Sequence, residues 1–284
     1  MPEIWVLTDG KPGHVNQSLG LAEALVRLRP ELSFRQLDVS AGWRLLFKSE
    51  KARLIISAGR RTHLWSWLCK LRYGAKNLVL MRPSLPQSCF DLILTPEHDG
   101  LGSDNPRVVE TRGALNRMIP GEKASGSSLV LVGGPSKHVI WDEERVLRQL
   151  RSIVAASSDS QLRIATSRRT PRGLVEQLAK LDSVELITPE SVDSAWLPST
   201  LASTEQVWVT MDSVSMVFEA LTAGCAVSLI GLESVPNSRT RQGMRLLLDS
   251  GLVNLSSDAN SRLNGAPLAE ADRCARLIMD KDWI

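Results

Sequence analysis

Three groups of residues in this chain carry side chains able to do chemistry. In the first, Asp9-Gly10-Lys11-Pro12-Gly13-His14 and the nearby Asn16 put a carboxylate, an ammonium and an imidazole on one loop. An imidazole titrates near neutrality, which makes His14 the candidate general base and Asp9 the second candidate catalytic group. Gly10, Lys11, Gly13 and Asn16 are candidate acceptor-binding residues, since the glycines permit close backbone approach. GKPG has the spacing of neither a Walker loop nor a GxGxxG fingerprint, and a histidine at a helix start can also serve only as a cap. The second group lies at three places: Gly134, Ser136 and Lys137; Ser167, Arg168 and Arg169; and Asp212, Ser213, Ser215 and Glu219. Hydroxyls, small residues and cations before helices suit a pyrophosphate, because helix N-termini favour anions and Arg binds phosphate bidentately. Glu219, one turn into its helix, would repel a phosphate but can accept from a ribose diol. Together they point to a nucleotide, although loops of α/β proteins are polar in general. The third group holds Arg60 with Arg61 and His63, which could face a phosphate or an acidic acceptor, and Glu97-His98-Asp99. Consecutive residues of an extended segment point to alternate sides, so the latter reads as a loop with Glu97 or His98 in reserve as acid or base, rather than a metal site.

What must position these groups is an alternation of strands and helices. Apolar runs predict strands at Glu3–Thr8, Ser33–Val39, Leu54–Ser57, Asn77–Met81, Asp91–Thr95 and Arg107–Val109. Asn116–Ser128 breaks the pattern with Pro, Gly and Ser, as a linker does. Strands resume at Leu129–Val132, Leu162–Thr166, Gln206–Thr210 and Cys225–Ile230. Leu21, Ala24, Leu25 and Leu28 repeat at helical spacing, as do Val214, Val217, Phe218 and Leu221, opposite a polar stripe of Ser215, Glu219 and Thr222. Glu190–Leu201 reads as a connection with one helical turn, Ile230–Thr240 as a mobile loop, and Arg241–Ser250 and Leu268–Ile278 as helices.

At 284 residues the chain suits two α/β domains, and its net charge of +3 is too small to imply nucleic acid as a partner. Cys69, Cys89, Cys225 and Cys274 show no ligand spacing and read as reduced thiols. With no signal segment and no apolar run long enough for a bilayer, a cytoplasmic location is expected, or one at the inner face of the membrane. A peripheral membrane contact would need a basic and apolar patch around Lys48, Lys51, Arg53, Trp65 and Trp67.

TDGKPGHVNQSLGLAEAL, PEHD, GGPSKH, TSRRTP and TMDSVSMVFEALTAGCAV, in this order over nearly the whole chain, resemble the Elm-type mitochondrial fission family. Those motifs in turn resemble GT-B glycosyltransferases such as the peptidoglycan N-acetylglucosaminyltransferase. The resemblance implies an α/β fold of two Rossmann-like domains facing across a cleft: an acceptor domain at 1–120, a nucleotide-sugar domain at 121–265, and a helix at 266–284 crossing back to the first. It places Gly13 and His14 at the acceptor loop, Gly134 and Ser136 at the diphosphate loop, and Ser213 and Glu219 on the nucleotide helix. The implied activity is transfer of a sugar, from a UDP-type donor by preference, to an unidentified cell-envelope or lipid-linked acceptor, with no metal and no tightly bound cofactor. Cleft closure would then exclude water. The alternative is a non-catalytic scaffold or membrane adaptor of the fission type. A nucleotide-sugar epimerase with a dinucleotide fingerprint and a Tyr-x-x-x-Lys pair is disfavoured, because the sole tyrosine, Tyr73, precedes Gly-Ala-Lys76.

Overall fold

The computed structural model describes residues 3–102, 105–157, 162–182, 184–235, 239–256 and 267–284. The chain divides into two units, Met1–Arg117 with Ala269–Ile284, and Met118–Leu268. The first unit therefore ends three residues before the expected boundary at 120.

In the first unit, strands β1 (Ile4–Thr8), β2 (Phe34–Asp38), β3 (Leu54–Ala58), β4 (Lys76–Leu80), β5 (Leu92–Pro96) and β6 (Val108–Thr111) form one parallel sheet in the order β2-β1-β3-β4-β5-β6. β1, β3 and β5 are buried at every residue and β4 at all but Lys76. That is what a parallel strand covered on both faces requires, and why these strands read as unbroken apolar runs. Helices α1 (Pro12–Leu28) and α2 (Arg60–Tyr73) follow β1 and β3. α1 buries Leu21, Ala24 and Leu25, but Leu28 is 42% exposed, contrary to the expected core face. A helix of this length runs about 26 Å, whereas a five-residue strand runs about 17 Å, so its last turn overhangs the sheet. After β2 the chain returns to set β3 on the other side of β1. The sheet order thus reverses between β1 and β3, where open α/β sheets bind ligands beyond their carboxyl ends.

In the second unit, β7 (Ala124–Val132), α3 (Glu143–Ala156), β9 (Leu162–Thr166), α4 (Arg172–Leu178), β10 (Val184–Ile187), α5 (Trp196–Ser203), β11 (Thr204–Thr210), α6 (Val214–Thr222), β12 (Ala226–Ile230), α7 (Arg239–Asp249) and β14 (Val253–Leu255) build a second parallel sheet with its helices. Its order is β10-β9-β7-β11-β12-β14, with the reversal between β7 and β11. The short strands β8 (Val139–Ile140) and β13 (Glu233–Ser234) pair antiparallel, so strand structure occupies part of the loop expected over 230–240. β7 begins inside the expected linker. Its polar residues are held by side-chain bonds: Ser127 Oγ donates to Ala124 O at 2.6 Å, and Gly126 N–H to Glu205 Oε2 at 2.7 Å. α5 is a full helix where a single turn was expected.

α8 (Glu270–Met279) belongs to the first unit and packs on α1. Ala271, Cys274, Ala275 and Ile278 enter the core with Leu21, Ala22 and Leu25. Burying Ile278 contributes about 2 kcal/mol. Arg27 pairs with Asp272 at 2.7 Å, and Trp283 packs against the same core. All four cysteines are free; burial pushes the Cys69 thiol up to about 11 and Cys274 to about 12.

Candidate functional site

At the carboxyl end of β1, Asp9 and His14 meet. Gly10, with φ +77°, turns the chain, its N–H bonding Thr8 Oγ1 at 3.0 Å, and α1 starts at once on Pro12. Gly13 and His14 thus sit in the first helical turn and not on a loop. His14 Nδ1 lies 2.9 and 3.1 Å from the two Asp9 carboxylate oxygens. A carboxylate only accepts, so Nδ1 carries the hydrogen of this bond, and in the neutral ring the lone pair falls on Nε2. The Asp9 side chain is 1% exposed and that of His14 22%. Burial alone would raise the Asp9 pKa, but the His14 hydrogen bond, the Lys11 N–H and the charges of His14 and Lys11 outweigh it and hold the pKa below the usual value. The pair lies against Gly59 at the tip of β3, with φ +91°, where any β-carbon would overlap the His14 ring. The dyad therefore spans the reversal point of the first sheet. Beside it, Asp9, Asp38, Val39, Ser40, Arg61 and Trp65 line a hollow of about 410 Å³.

The other expected residues of this unit divide. Lys11 and Arg60 are exposed beside these tips, and Asn16 is half-buried one turn into α1. His63 is buried, so it does not face a phosphate: its Nδ1 accepts the Ser84 N–H at 3.0 Å, and burial with the nearby His14 lowers its pKa to about 4 against the opposing pull of Asp9. Glu97 is exposed on a 3-10 turn, Glu97–Asp99, rather than an extended segment. That turn follows β5, three strand spacings or about 14 Å along the sheet from β1. The His98 side chain lies outside the described residues. Among the described residues, no three His, Cys, Asp or Glu side chains gather as metal ligands would.

In the second unit the three expected loops follow β9, β7 and β11, which are adjacent and parallel, so the loops share one edge. There the side chains engage one another. Asp212, 5% exposed, accepts the Gly134 N–H at 3.1 Å and pairs with Arg169 at 2.8 Å. Arg169 also donates to Gly134 O and Pro135 O at 3.1 and 3.3 Å. A β-carbon on Gly133 would enter the Asp212 carboxylate, and one on Gly134 the Arg169 carbonyl. Both glycines thus make room for the protein's own groups, on the loop expected to hold a diphosphate. Thr170 and Thr210 complete the clasp: Thr170 Oγ1 donates to Val132 O at 3.0 Å, and Thr210 Oγ1 accepts the Gly133 N–H at 2.8 Å.

Lys137 and Arg168 are exposed beside the clasp. The hydroxyls of Ser136 and Ser167 accept the N–H groups of His138 and Arg169 at 3.3 and 3.2 Å. Ser213 is buried at the start of α6 without capping it through its side chain. Ser215 is exposed and Glu219, half-buried, lies one turn along the same face, while Thr222 is buried and does not extend that stripe. Beyond β11 and β12, Met211, Leu232, Glu233, Ser234, Arg241, Arg245 and Leu248 line a hollow of about 540 Å³. The two arginines were missed, although their spacing of four in a predicted helix was the available signal. Thr170 and Thr210 carried no such signal.

The chain matches the mitochondrial fission ELM1 family over residues 12–281 and belongs to that family. It is 22% identical to the uncharacterized protein RP120 of Rickettsia prowazekii, with 97% of each chain covered. In fold it is similar to a putative UDP-N-acetylglucosamine 2-epimerase from Listeria monocytogenes, at TM-score 0.56 and 12% identity over 100% of this chain and 90% of that one. It is also similar to S. aureus MnaA solved with UDP, at TM-score 0.53 and 13% identity over 99% and 89% of the chains. A third likeness is to Phytolacca americana UGT2 complexed with UDP-2fluoro-glucose and pterostilbene, at 0.50 and 12% over 99% and 90%. The fold is thus of the GT-B type. An epimerase shares it, so the missing Tyr-x-x-x-Lys pair sets this chain apart only from dinucleotide-dependent epimerases.

Proposed function

From this family membership and the geometry at the tip of β1, we propose that the chain is a GT-B glycosyltransferase. It would move a sugar from a nucleotide-sugar, UDP-type by preference, onto a cell-envelope or lipid-linked hydroxyl in the cytoplasm, without a metal. The Asp9–His14 pair carries this reading. Nε2 of His14 takes the acceptor proton as the hydroxyl oxygen bonds the anomeric carbon. The bond from that carbon to the diphosphate oxygen breaks, and Asp9 stabilises the resulting imidazolium. Lys137, Arg168 and the N-terminus of α6 offset the charge of the leaving diphosphate. Ser215 and Glu219 receive the ribose, and the 540 Å³ hollow, within the usual size range of a ligand pocket, takes the base. The solved complexes of similar fold with UDP and UDP-2fluoro-glucose support the choice of donor.

One observation favours a non-catalytic scaffold instead: Gly134, Arg169 and Asp212, all expected to hold the donor, are bound to one another. Isothermal titration with UDP, GDP, CMP and ADP separates the two. The transferase binds one of them and loses affinity in Glu219→Ala; a protein that binds none even at millimolar concentration is a scaffold.

A further inference from the structure

We propose that the face carrying Trp43, Phe47, Leu64 and Leu71 docks this protein onto an anionic lipid membrane. The starting point is α2, which is built inside out. Its inward residues are Thr62, His63, Ser66 and Cys69, all at most 2% exposed, while Leu64 and Leu71 are 47% and 62% exposed. The inward polar groups have local partners: Thr62 Oγ1 donates to Gly59 O at 2.8 Å, His63 bonds Ser84, and Ser66 Oγ receives Asn77 Nδ2 at 3.4 Å. Those bonds fix the helix rotation and leave Leu64 and Leu71, two turns apart on one side, facing solvent.

The 3-10 segment Val39–Phe47 packs beside α2. It exposes Trp43 at 67% and Phe47 at 82%, and Trp43 meets Trp65 of α2 edge to face, with centroids 5.5 Å apart. Tyr73 ties the two elements, its hydroxyl donating to Leu45 O at 2.8 Å and accepting the Lys48 N–H at 3.0 Å. Half of the large exposed hydrophobic residues of the described chain therefore stand on one braced platform. Of the residues expected for a membrane patch, Trp65 and Trp67 are half-buried and Arg53 faces Glu3 at 3.7 Å, whereas Lys48 and Lys51 follow the exposed Phe47 in the chain.

Charge selects the occupant. Residues 39–90 hold ten Lys and Arg and a single acid, Glu50, in a chain whose net charge is only +3. Glu50 is itself paired with Arg35 at 2.8 Å. Arg44, Lys48 and Arg72 are chain neighbours of Trp43, Phe47 and Leu71, Lys51 is exposed four residues beyond Phe47, and neither α2 nor the 3-10 segment contains an acid. Exposed aromatic and aliphatic tips with cations as chain neighbours gain from a lipid surface twice, by burial among acyl chains and by attraction to anionic headgroups. A nucleic acid would use only the cations and the aromatic faces, leaving Leu64 and Leu71 in water. Among the described residues no helix is long and apolar enough to cross a membrane, so the contact is peripheral.

The test is flotation of the full chain with vesicles of phosphatidylcholine alone and with about a third phosphatidylglycerol. The protein is expected to float with the anionic vesicles on the order of tenfold more than with neutral ones, and to be released as salt rises from about 0.1 to 1 M and the Debye length shrinks to about 3 Å. Phe47→Ser with Leu71→Ser should abolish flotation with an unchanged circular dichroism spectrum. Arg44→Glu with Lys51→Glu, which spares the Arg72 guanidinium stacked over the Tyr73 ring at 5.3 Å, should remove the preference for anionic vesicles. Flotation with neither vesicle, or equal flotation of both double variants and the native chain, overturns the proposal. So does a dimer dispersed by the Phe47 and Leu71 changes in a protein that ignores vesicles.

Discussion

Each unit sets a buried carboxylate beyond a strand at its sheet-reversal point, Asp9 after β1 and Asp212 after β11, and each carboxylate lies against a glycine. Their partners differ. Asp9 turns to the imidazole of His14 and leaves one ring nitrogen available. Asp212 turns to Arg169 and the Gly134 N–H, and so binds three loops into one block. The same device orients an imidazole in one unit and closes a clasp in the other. What decides is whether the partner retains an unused reactive atom: a titratable ring does, and a guanidinium directed at a carboxylate and two carbonyls has little left to offer.

The comparison can be broken most severely at the clasp. Gly134→Ala drives a β-carbon into the backbone of Arg169, and urea unfolding should show a loss of about 3 kcal/mol or more. A loss under about 1 kcal/mol would mean that the loops yield and the clasp is loose. Next comes pH, to which the first unit is the sensitive partner. His63 has a folded pKa near 4 against an ordinary 6.5, so the unfolded chain takes up its proton first. Stability is complete above about 6.5 and falls as pH drops towards 4, by up to about 3 kcal/mol, a slope that His63→Gln should flatten. Asp9, with its lowered pKa, adds a loss of the same sign below the unfolded carboxylate value. A third, smaller effect is the coupling of Asp212 and Arg169. Arg169 is 43% exposed, which screens the pair, so a double-mutant cycle with alanine should give about 1 kcal/mol. The smallest effect separates neighbours. Arg168→Ala should leave stability within about 0.5 kcal/mol while weakening nucleotide binding, whereas Arg169→Ala lowers stability. Equal behaviour of the two would erase the distinction between ligand-facing and clasping arginines.

Much of the fold was legible, because buried parallel strands announce themselves as apolar runs: Leu162–Thr166 is a strand at both predicted ends. What escaped is instructive. β7 enters a Ser- and Gly-rich stretch that reads as a linker, since its polar residues are satisfied by cross-bonds invisible in one dimension. α2 carries almost no amphipathic signal because it buries hydroxyls and a histidine while exposing leucines. At the sites, residue types were readable but their relations were not. Asp9 and His14 were both singled out, yet their contact depends on a turn that folds the chain back on itself. Gly134 was singled out for a diphosphate loop, and nothing in its spacing announced the close approach of Arg169.

The central claim is that His14, held by Asp9, is the base of a sugar transfer. It is tested most directly by following nucleoside diphosphate release from the nucleotide-sugar that binds best, with envelope lipids and sugars supplied as acceptors, in the native chain and in His14→Ala. The account predicts turnover that falls about 10²- to 10⁴-fold in the variant with donor affinity unchanged. Equal turnover in the two proteins, or none in the native chain with a donor bound, would contradict it.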